Sequence, residues 1–349
     1  MLRIINIMLS KGSGGIEQAS LDYAMVLQDG QHDVLMITDP QADVNLRATR
    51  LGCGLTHLAQ RSKWDVWASS RLRKIITGFQ ADIIITHGNR ALNLVSRAHV
   101  PHVPIIAVSH NYSMNDLNKA QAVFAITEHM REEILKFHPR MHQKQCIYMP
   151  NMVAIQGLHA RPRWHHPVRL GAIGRLVPKK GFDVWLRSLA LLRDQGYAFE
   201  AWLAGDGKER EPLEALCTSL GLDDCVIFKG WVSDNRDFYQ SIDVCCVPSL
   251  HEPFGIVVIE AMAHGLPLVA TDSEGPSEIL SGFDCAKIVE KDNPEAMAQA
   301  LIAVITHEAD AHDMGQRAHA HVAARFSMTQ CAKRMNVALE EVLQMHLVQ

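Results

Sequence analysis

Short apolar runs rich in β-branched residues recur along the whole chain, with helix-length segments between them. They fall at 3–9, 33–38, 82–87, 104–109 and 122–127, and again at 168–174, 198–204, 225–228, 242–247, 267–271 and 286–289. Each is bounded by polar or turn residues, the signature of parallel strands buried on both faces. Strand alternating with helix restricts the chain to an α/β fold. At 349 residues it is too long for one ordinary core and suits two such domains. The pattern breaks once, through Pro150-Asn151-Met152-Val153 and the aperiodic stretch 159–167. The expected organisation is a first domain over 1–155, a linker over 156–167, a second domain over 168–326 and a final helix over 327–349 capped by Ser327.

Composition narrows the class further. A hydrophobic content of 48% and a net charge of −4 describe a soluble globular protein, and no nucleic-acid partner is expected. No apolar run reaches the length of a membrane span. The segment Met1–Leu9 reads as a first strand, without the long apolar core and small-residue cleavage site of a signal peptide. The eight cysteines include no CxxC pair and read as reduced, mostly buried thiols of a cytoplasmic protein. Charge is uneven: residues 1–150 carry 16 Lys/Arg against 12 Asp/Glu, and residues 151–349 carry 18 against 26. The two halves are therefore expected to meet different partners.

The stretch Ser249 to Gly265, SLHEPFGIVVIEAMAHG, carries the most chemistry. A short buried strand, Ile242–Val247, precedes it, and Leu266–Thr271 follows as the next strand. In such a βαβ unit the loop after the strand faces the ligand crevice. Glu252 falls in that loop, Gly255 opens the helix, and Glu260 lies inside it. Amides at the helix start suit a phosphate, and the carboxylates suit sugar hydroxyls. A solvated loop charge and a surface helix charge are the plainer alternative.

Glu-Pro-Phe-Gly, the seven residues between the two glutamates, and the tail Ala-Met-Ala-His-Gly-Leu-Pro-Leu-Val-Ala resemble the donor-sugar motif of retaining nucleotide-sugar glycosyltransferases of family 4, also called group 1. The resemblance implies the GT-B fold: two Rossmann-like domains with parallel sheets facing a deep cleft. It implies a donor held by the second domain and an acceptor held by the first. Glu252, Phe254, Gly255, Ile256 and Glu260 are then donor-binding, with Glu260 on the ribose and Glu252 on the transferred sugar.

Four further sites fit the same family. Ser10 to Glu17, directly after the first strand, resembles its glycine loop, with Gly14 and Gly15 on the donor diphosphate. Gly174 to Phe182 places Arg175 and Lys180 five apart after a strand, where a guanidinium fork and a point charge converge on one pyrophosphate. A solvated basic loop is the alternative from the residues alone, and Lys179 is a lesser candidate. His110 ends the strand Ile105–Ser109, the place of a family histidine beside the reacting sugar. His87, at the end of the preceding strand, is its rival, and His87, Asn89 and Arg90 are assigned to the acceptor side. Gly205 and Gly230 resemble glycine turns beside the donor, Gly230 in the loop that flanks the nucleobase.

The catalytic set is thus His110, Glu252, Arg175 and Lys180. No Asp-x-Asp stands ready for a divalent metal, so neither metal nor other cofactor is expected. Cationic side chains and helix amides would stabilise the leaving diphosphate instead. The resemblance is strong over 168–290 and looser over 1–155, and Met152 replaces the family's glycine after Pro150-Asn151. The implied activity is transfer from a nucleotide-diphosphate sugar to a glycan or lipid-linked acceptor, in envelope polysaccharide or lipopolysaccharide synthesis. An NAD-dependent dehydrogenase would need a third glycine where Glu17 stands. A sugar-nucleotide-binding protein without turnover shares every donor residue.

A last expectation concerns membranes. Arg47, Arg50, Arg61, Lys63, Arg71, Arg73 and Lys74 cluster over 47–74. Within 62–79, Trp64, Trp67, Ala68, Leu72, Ile75, Ile76 and Phe79 fall near one helical face. A helix packed on its own sheet explains the apolar stripe. The basic face suggests peripheral attachment to an anionic membrane surface, on the inner face of a membrane.

Overall fold

The computed structural model describes residues 1–12, 14–62, 65–157, 164–232 and 234–347. The chain divides into two compact units, Met1–Met152 with Met328–Gln349, and Val153–Ser327.

The first unit is built on a seven-stranded parallel sheet. Its strands are β1 (Arg3–Met8), β2 (Asp33–Thr38), β3 (Gly54–His57), β4 (Ile83–His87), β5 (Ile105–Ser109), β6 (Ala122–Ala125) and β7 (Cys146–Tyr148), in the order β3-β2-β1-β4-β5-β6-β7. The helices are α1 (Gly15–Asp29), α2 (Asn45–Arg50), α3 (Val66–Phe79), α4 (Asn89–Ala98) and α5 (Glu128–Phe137). The five apolar runs of the sequence are the five central strands; β4, β5 and β6 are buried along their whole length. The two edge strands β3 and β7 were not expected. They have only four and three residues and are partly solvated, so neither presents an apolar run.

The strand order reverses between β1 and β4, where Met8 pairs in register with His87. Such a switch point opens a crevice outside the carboxyl ends of the strands. The glycine loop after β1 and the sequence His87-Gly88-Asn89-Arg90 after β4 both lie at that edge.

Helix α3 starts on Asp65, whose side chain accepts from the Ala68 amide at 2.9 Å. Its inward stripe is Ala68, Leu72 and Ile76. Trp67 does not belong to it: its ring is 82% exposed, beside Val66 at 74%. Trp67 shares the face of Arg71 and Lys74 at i+4 and i+7, and that face points away from α4 and the sheet. Arg73 is committed elsewhere, its Nε donating to the Ala98 carbonyl at 2.5 Å. Lys63 and Trp64 lie outside the described residues.

The second unit carries a six-stranded parallel sheet: β8 (Val168–Ile173), β9 (Phe199–Ala204), β10 (Val226–Gly230), β11 (Val244–Val247), β12 (Leu268–Thr271) and β13 (Lys287–Val289), ordered β10-β9-β8-β11-β12-β13. Its helices are α6 (Phe182–Asp194), α7 (Arg210–Ser219), α8 (Asn235–Ser241), α9 (Ile256–Ala263), α10 (Glu274–Leu280), α11 (Pro294–Ile305) and α12 (Glu308–Arg325). Each strand matches an expected run to within two residues. The switch point lies between β8 and β11, so the Arg175–Lys180 loop and the Glu252 loop leave the sheet side by side.

Residues 158–163 of the expected linker lie outside the described residues. Trp164 is part of the second unit's core, buried to 6% exposure, and its backbone amide donates to Glu308 Oε1 at 3.1 Å. Helix α13 (Met328–Leu347) follows Ser327 and returns to the first unit, where it packs on α1. Its buried face is Cys331, Met335, Ala338, Leu339 and Val342, at helical spacing.

Candidate active site

In the second unit three loops at the carboxyl edge of the sheet are joined backbone to backbone. Gly181 has φ 61°, and a Cβ there would sit 2.1 Å from the Pro248 carbonyl oxygen. Only glycine lets the turn after β8 close on the strand end of β11. The Lys179 carbonyl then accepts from the amides of Leu250 and His251 at 2.9 and 3.2 Å. Gly205, with φ 131°, is as constrained: a Cβ would meet the Gly174 carbonyl oxygen at 1.9 Å. Its amide donates to the Gly230 carbonyl at 2.7 Å. The expected glycines Gly205 and Gly230 thus meet beside the Arg175 loop.

This zipping brings Lys180 Nζ onto Glu252 Oε2 as an ion pair. The side chains are only 17% and 14% exposed. Arg175 and Lys179 remain exposed at the same edge. Glu274 fixes the Glu252 loop. Its Oε2 accepts from the Glu252 amide at 3.1 Å, its Oε1 pairs with His251 Nδ1 at 2.8 Å, and the Gly275 amide donates to the Glu252 carbonyl at 2.8 Å. Burial pushes the Glu274 carboxyl up, but hydrogen bonds from its own backbone, His251 and Glu252 outweigh that and hold it below the usual range.

Gly255 caps α9, leaving the amides of Ile256 and Val257 with no helical carbonyl behind them. Phe254 turns inward: its ring is 3% exposed and meets Phe326 edge-on at 5.9 Å. Its side chain is thus spent in the core and is not presented to a donor, against the expectation from the motif. Glu260, one turn into α9, is held by α8. The Tyr239 hydroxyl donates to Glu260 Oε2 at 2.8 Å and Asn235 Nδ2 donates at 3.3 Å. Burial, then the adjacent Glu260, push the Tyr239 hydroxyl well above its ordinary pKa, so it stays a donor. The His264 ring stacks on Tyr239 at 5.0 Å and its Nδ1 donates to the Glu260 carbonyl at 2.8 Å.

In the first unit a cavity of about 450 Å³ opens at the switch point, lined among others by Ser10, Lys11, Asn89, Arg90, His110 and Asn111. Gly14 caps α1 and accepts from the Gln18 amide at 3.0 Å, and Ser10 Oγ donates to Glu17. Arg90 Nη1 donates to the Leu9 carbonyl at 3.2 Å, and Asn89 Nδ2 donates to Ser113 Oγ at 2.9 Å. His110 and His87, rivals by sequence, touch: His87 Nδ1 lies 2.9 Å from His110 Nε2. The other nitrogen of His87 lies 2.8 Å from Asn6 Oδ1. With both nitrogens engaged and 3% exposure, His87 stands behind His110. Burial, with His110 adding to it, holds His87 well below the ordinary histidine pKa, and burial pushes His110 down to about 4.

Four supporting residues were not anticipated: Asn6, Asn235, Tyr239 and Glu274. Asn6 did leave a signal, as the single polar side chain inside the apolar run Ile4–Met8.

The match to Glycosyltransferase Family 4 spans residues 13–156, and that to Glycosyl transferases group 1 spans residues 163–321. The lipopolysaccharide core biosynthesis glycosyltransferase LpsE of Rhizobium meliloti is 34% identical over 156 residues, 45% of this chain and 45% of that one. The chain thus matches less than half the length of this curated relative. A phosphatidyl-myo-inositol mannosyltransferase of Mycobacterium leprae is 26% identical over 321 residues, 84% of each chain. Among solved structures, Anabaena HepE in complex with UDP and glucose superposes with a TM-score of 0.83 at 19% identity, over 97% of this chain and all of that one. Nothing in these likenesses supports the dehydrogenase alternative. Two α/β units with the strand orders above, matched over nearly their whole length by these two models, place the chain in the group 1 glycosyltransferases of the GT-B fold.

Proposed function

We propose that this chain transfers a sugar from a nucleoside diphosphate sugar to a glycan or lipid-linked acceptor of an envelope polysaccharide or lipopolysaccharide. Transfer retains the anomeric configuration and uses no divalent metal. The observation that carries this reading is the Lys180–Glu252 ion pair at the switch point of the second unit. Two opposite charges with so little exposure compensate each other. A donor diphosphate takes Lys180, and the sugar hydroxyls take Glu252. Arg175, Lys180 and the amides of Ile256 and Val257 then face the negative charge that grows on the leaving diphosphate. Glu260, oriented by Tyr239, accepts from the ribose hydroxyls. The acceptor hydroxyl attacks from the side of the departing phosphate, whose oxygen takes its proton.

HepE was crystallised with UDP and glucose, which makes UDP-sugars the first donors to test. The lipopolysaccharide assignment of the Rhizobium relative supports the acceptor class. No helix of the described residues is long and apolar enough to cross a membrane. The proposed attachment to a lipid-borne acceptor is peripheral, through the exposed Val66, Trp67, Arg71 and Lys74 of α3.

A thermal-shift screen against UDP-, GDP- and ADP-sugars tests donor binding, since a native-state ligand raises Tm by mass action. The anomeric configuration of the product, read by proton NMR, tests retention. An inverted product defeats retention and leaves transfer standing; a donor bound but never consumed in the presence of envelope glycan acceptors defeats the transferase reading and favours a binding protein.

A further inference from the structure

The contact between His87 and His110 has a direction, and Asn6 sets it. Asn6 Nδ2 lies 2.7 Å from the Ser20 carbonyl oxygen, which can only accept. The amide nitrogen must therefore face Ser20, and Oδ1 faces His87. An oxygen accepts, so His87 Nε2 carries the proton. His87 is buried against Tyr23, ring edge to ring face at 5.0 Å, and burial keeps it neutral. A neutral imidazole with Nε2 protonated has a lone pair on Nδ1. That lone pair lies 2.9 Å from His110 Nε2, which must donate to it. His110 is then protonated on Nε2 and has its own lone pair on Nδ1. Among the described residues Nδ1 of His110 meets no hydrogen-bond donor, and His110 lines the cavity.

We propose that Asn6 and His87 form a positioning relay that locks His110 in its Nε2–H tautomer and presents the Nδ1 lone pair to a hydroxyl of the saccharide bound in this cavity. The saccharide rests on the transferase reading above; the tautomer does not. A free histidine would divide between tautomers and would donate from Nδ1 part of the time. In this arrangement it only accepts, so it selects a ligand hydroxyl over a ligand carboxylate or carbonyl. His87 touches no ligand in this scheme and acts through His110.

Nitrogen-15 NMR of the imidazole rings tests the relay on the intact chain, with His110 identified by the signals missing from His110→Gln. The wild type should show His110 as a pure Nε2–H tautomer at neutral pH. His87→Asn places an amide oxygen near the position of Nδ1 and should keep that tautomer. His87→Leu removes the acceptor and should give tautomer averaging at His110. With UDP-glucose as donor probe, UDP release should be about tenfold slower in His87→Leu than in His87→Asn. An Nδ1–H or doubly protonated His110 in the wild type overturns the proposal, whatever happens to either variant. Equal UDP release by the two variants overturns the positioning role.

Discussion

The Tyr239 hydroxyl donates to Glu260 Oε2 at 2.8 Å, so a residue of α8 orients a carboxylate of α9. Tyr239 is fully buried and its proton is held, which makes this bond part of the rest state of the site. If Glu260 binds the ribose, its orientation matters as much as its charge. Glu260→Ala should weaken UDP binding by roughly 1.5–3 kcal/mol, the cost of a lost charged hydrogen bond. Tyr239→Phe should weaken it by less, about 1 kcal/mol, because the carboxylate remains but is no longer fixed. Calorimetric titration with UDP measures both. Unchanged affinity in a folded Glu260→Ala variant removes the ribose assignment.

The Lys180–Glu252 pair separates structural from chemical roles. Lys180→Ala leaves Glu252 little exposed and without its cation, which should lower Tm. It should also reduce turnover on the order of 10²–10³, as loss of one leaving-group stabiliser does. A Lys180→Met/Glu252→Gln double variant should regain the Tm and none of the turnover. Recovery of turnover in the double variant would show that the pair serves stability alone. Glu252→Gln by itself should impair turnover more than UDP binding if, as proposed, its partner is the sugar.

Much of this site could be read from residue order alone, and the remainder shows what residue order lacks. Glu252, Gly255, Arg175 and Lys180 sit in loops, and Glu260 in the helix that one of them opens, whose place follows from the strand alternation, because parallel strands put those loops at one edge. Their supports lie elsewhere in sequence: Tyr239 comes 21 residues before Glu260, and Glu274 comes 22 after Glu252. Neither has a spacing that marks it. The His87–His110 contact joins two adjacent strand ends and needed the strand order, which apolar runs do not specify. The apolar character of Trp67 points it inward, yet Ala68, Leu72 and Ile76 already complete the buried stripe one position on.

The two depressed histidines make stability depend on pH in a definite direction. In the unfolded chain each takes up a proton near pH 6.5, whereas folded His110 resists protonation to about 4 and folded His87 lies well below 6.5. Between those values the unfolded state binds more protons, so stability falls as pH is lowered through the window. Tm measured from pH 7 to pH 4.5 should therefore drop, and the drop should shrink in His87→Asn/His110→Gln. An identical pH slope in that variant would show that the two rings do not carry the effect.

The proposed chemistry uses positive side chains to neutralise the leaving diphosphate, where a metal-assisted transferase would use a divalent cation. Turnover should accordingly survive exhaustive EDTA treatment and should not rise on adding Mg²⁺ or Mn²⁺. Loss of activity in EDTA with recovery in Mn²⁺ would require oxygen ligands that the scheme does not include.

The proposed membrane attachment rests on a narrower footprint than the basic cluster of 47–74. Arg73 is committed to the Ala98 carbonyl, so on α3 the exposed groups offered to a bilayer are the apolar Val66 and Trp67 and the cations Arg71 and Lys74. A tryptophan exposed to 82% beside two cations suits the interface of an anionic bilayer, the ring at headgroup level and the charges on phosphate. Each such charge is worth about 1 kcal/mol near an anionic surface, so Arg71→Glu/Lys74→Glu should weaken vesicle binding by at least about 30-fold. Trp67→Ala should weaken binding to neutral and anionic vesicles alike, because its contribution is apolar. Arg73→Glu should act chiefly on stability, through the lost bond to α4. Co-sedimentation at low and high salt distinguishes these effects: binding that ignores lipid charge, or a Glu double variant that sediments like the wild type, defeats the attachment without touching the donor site.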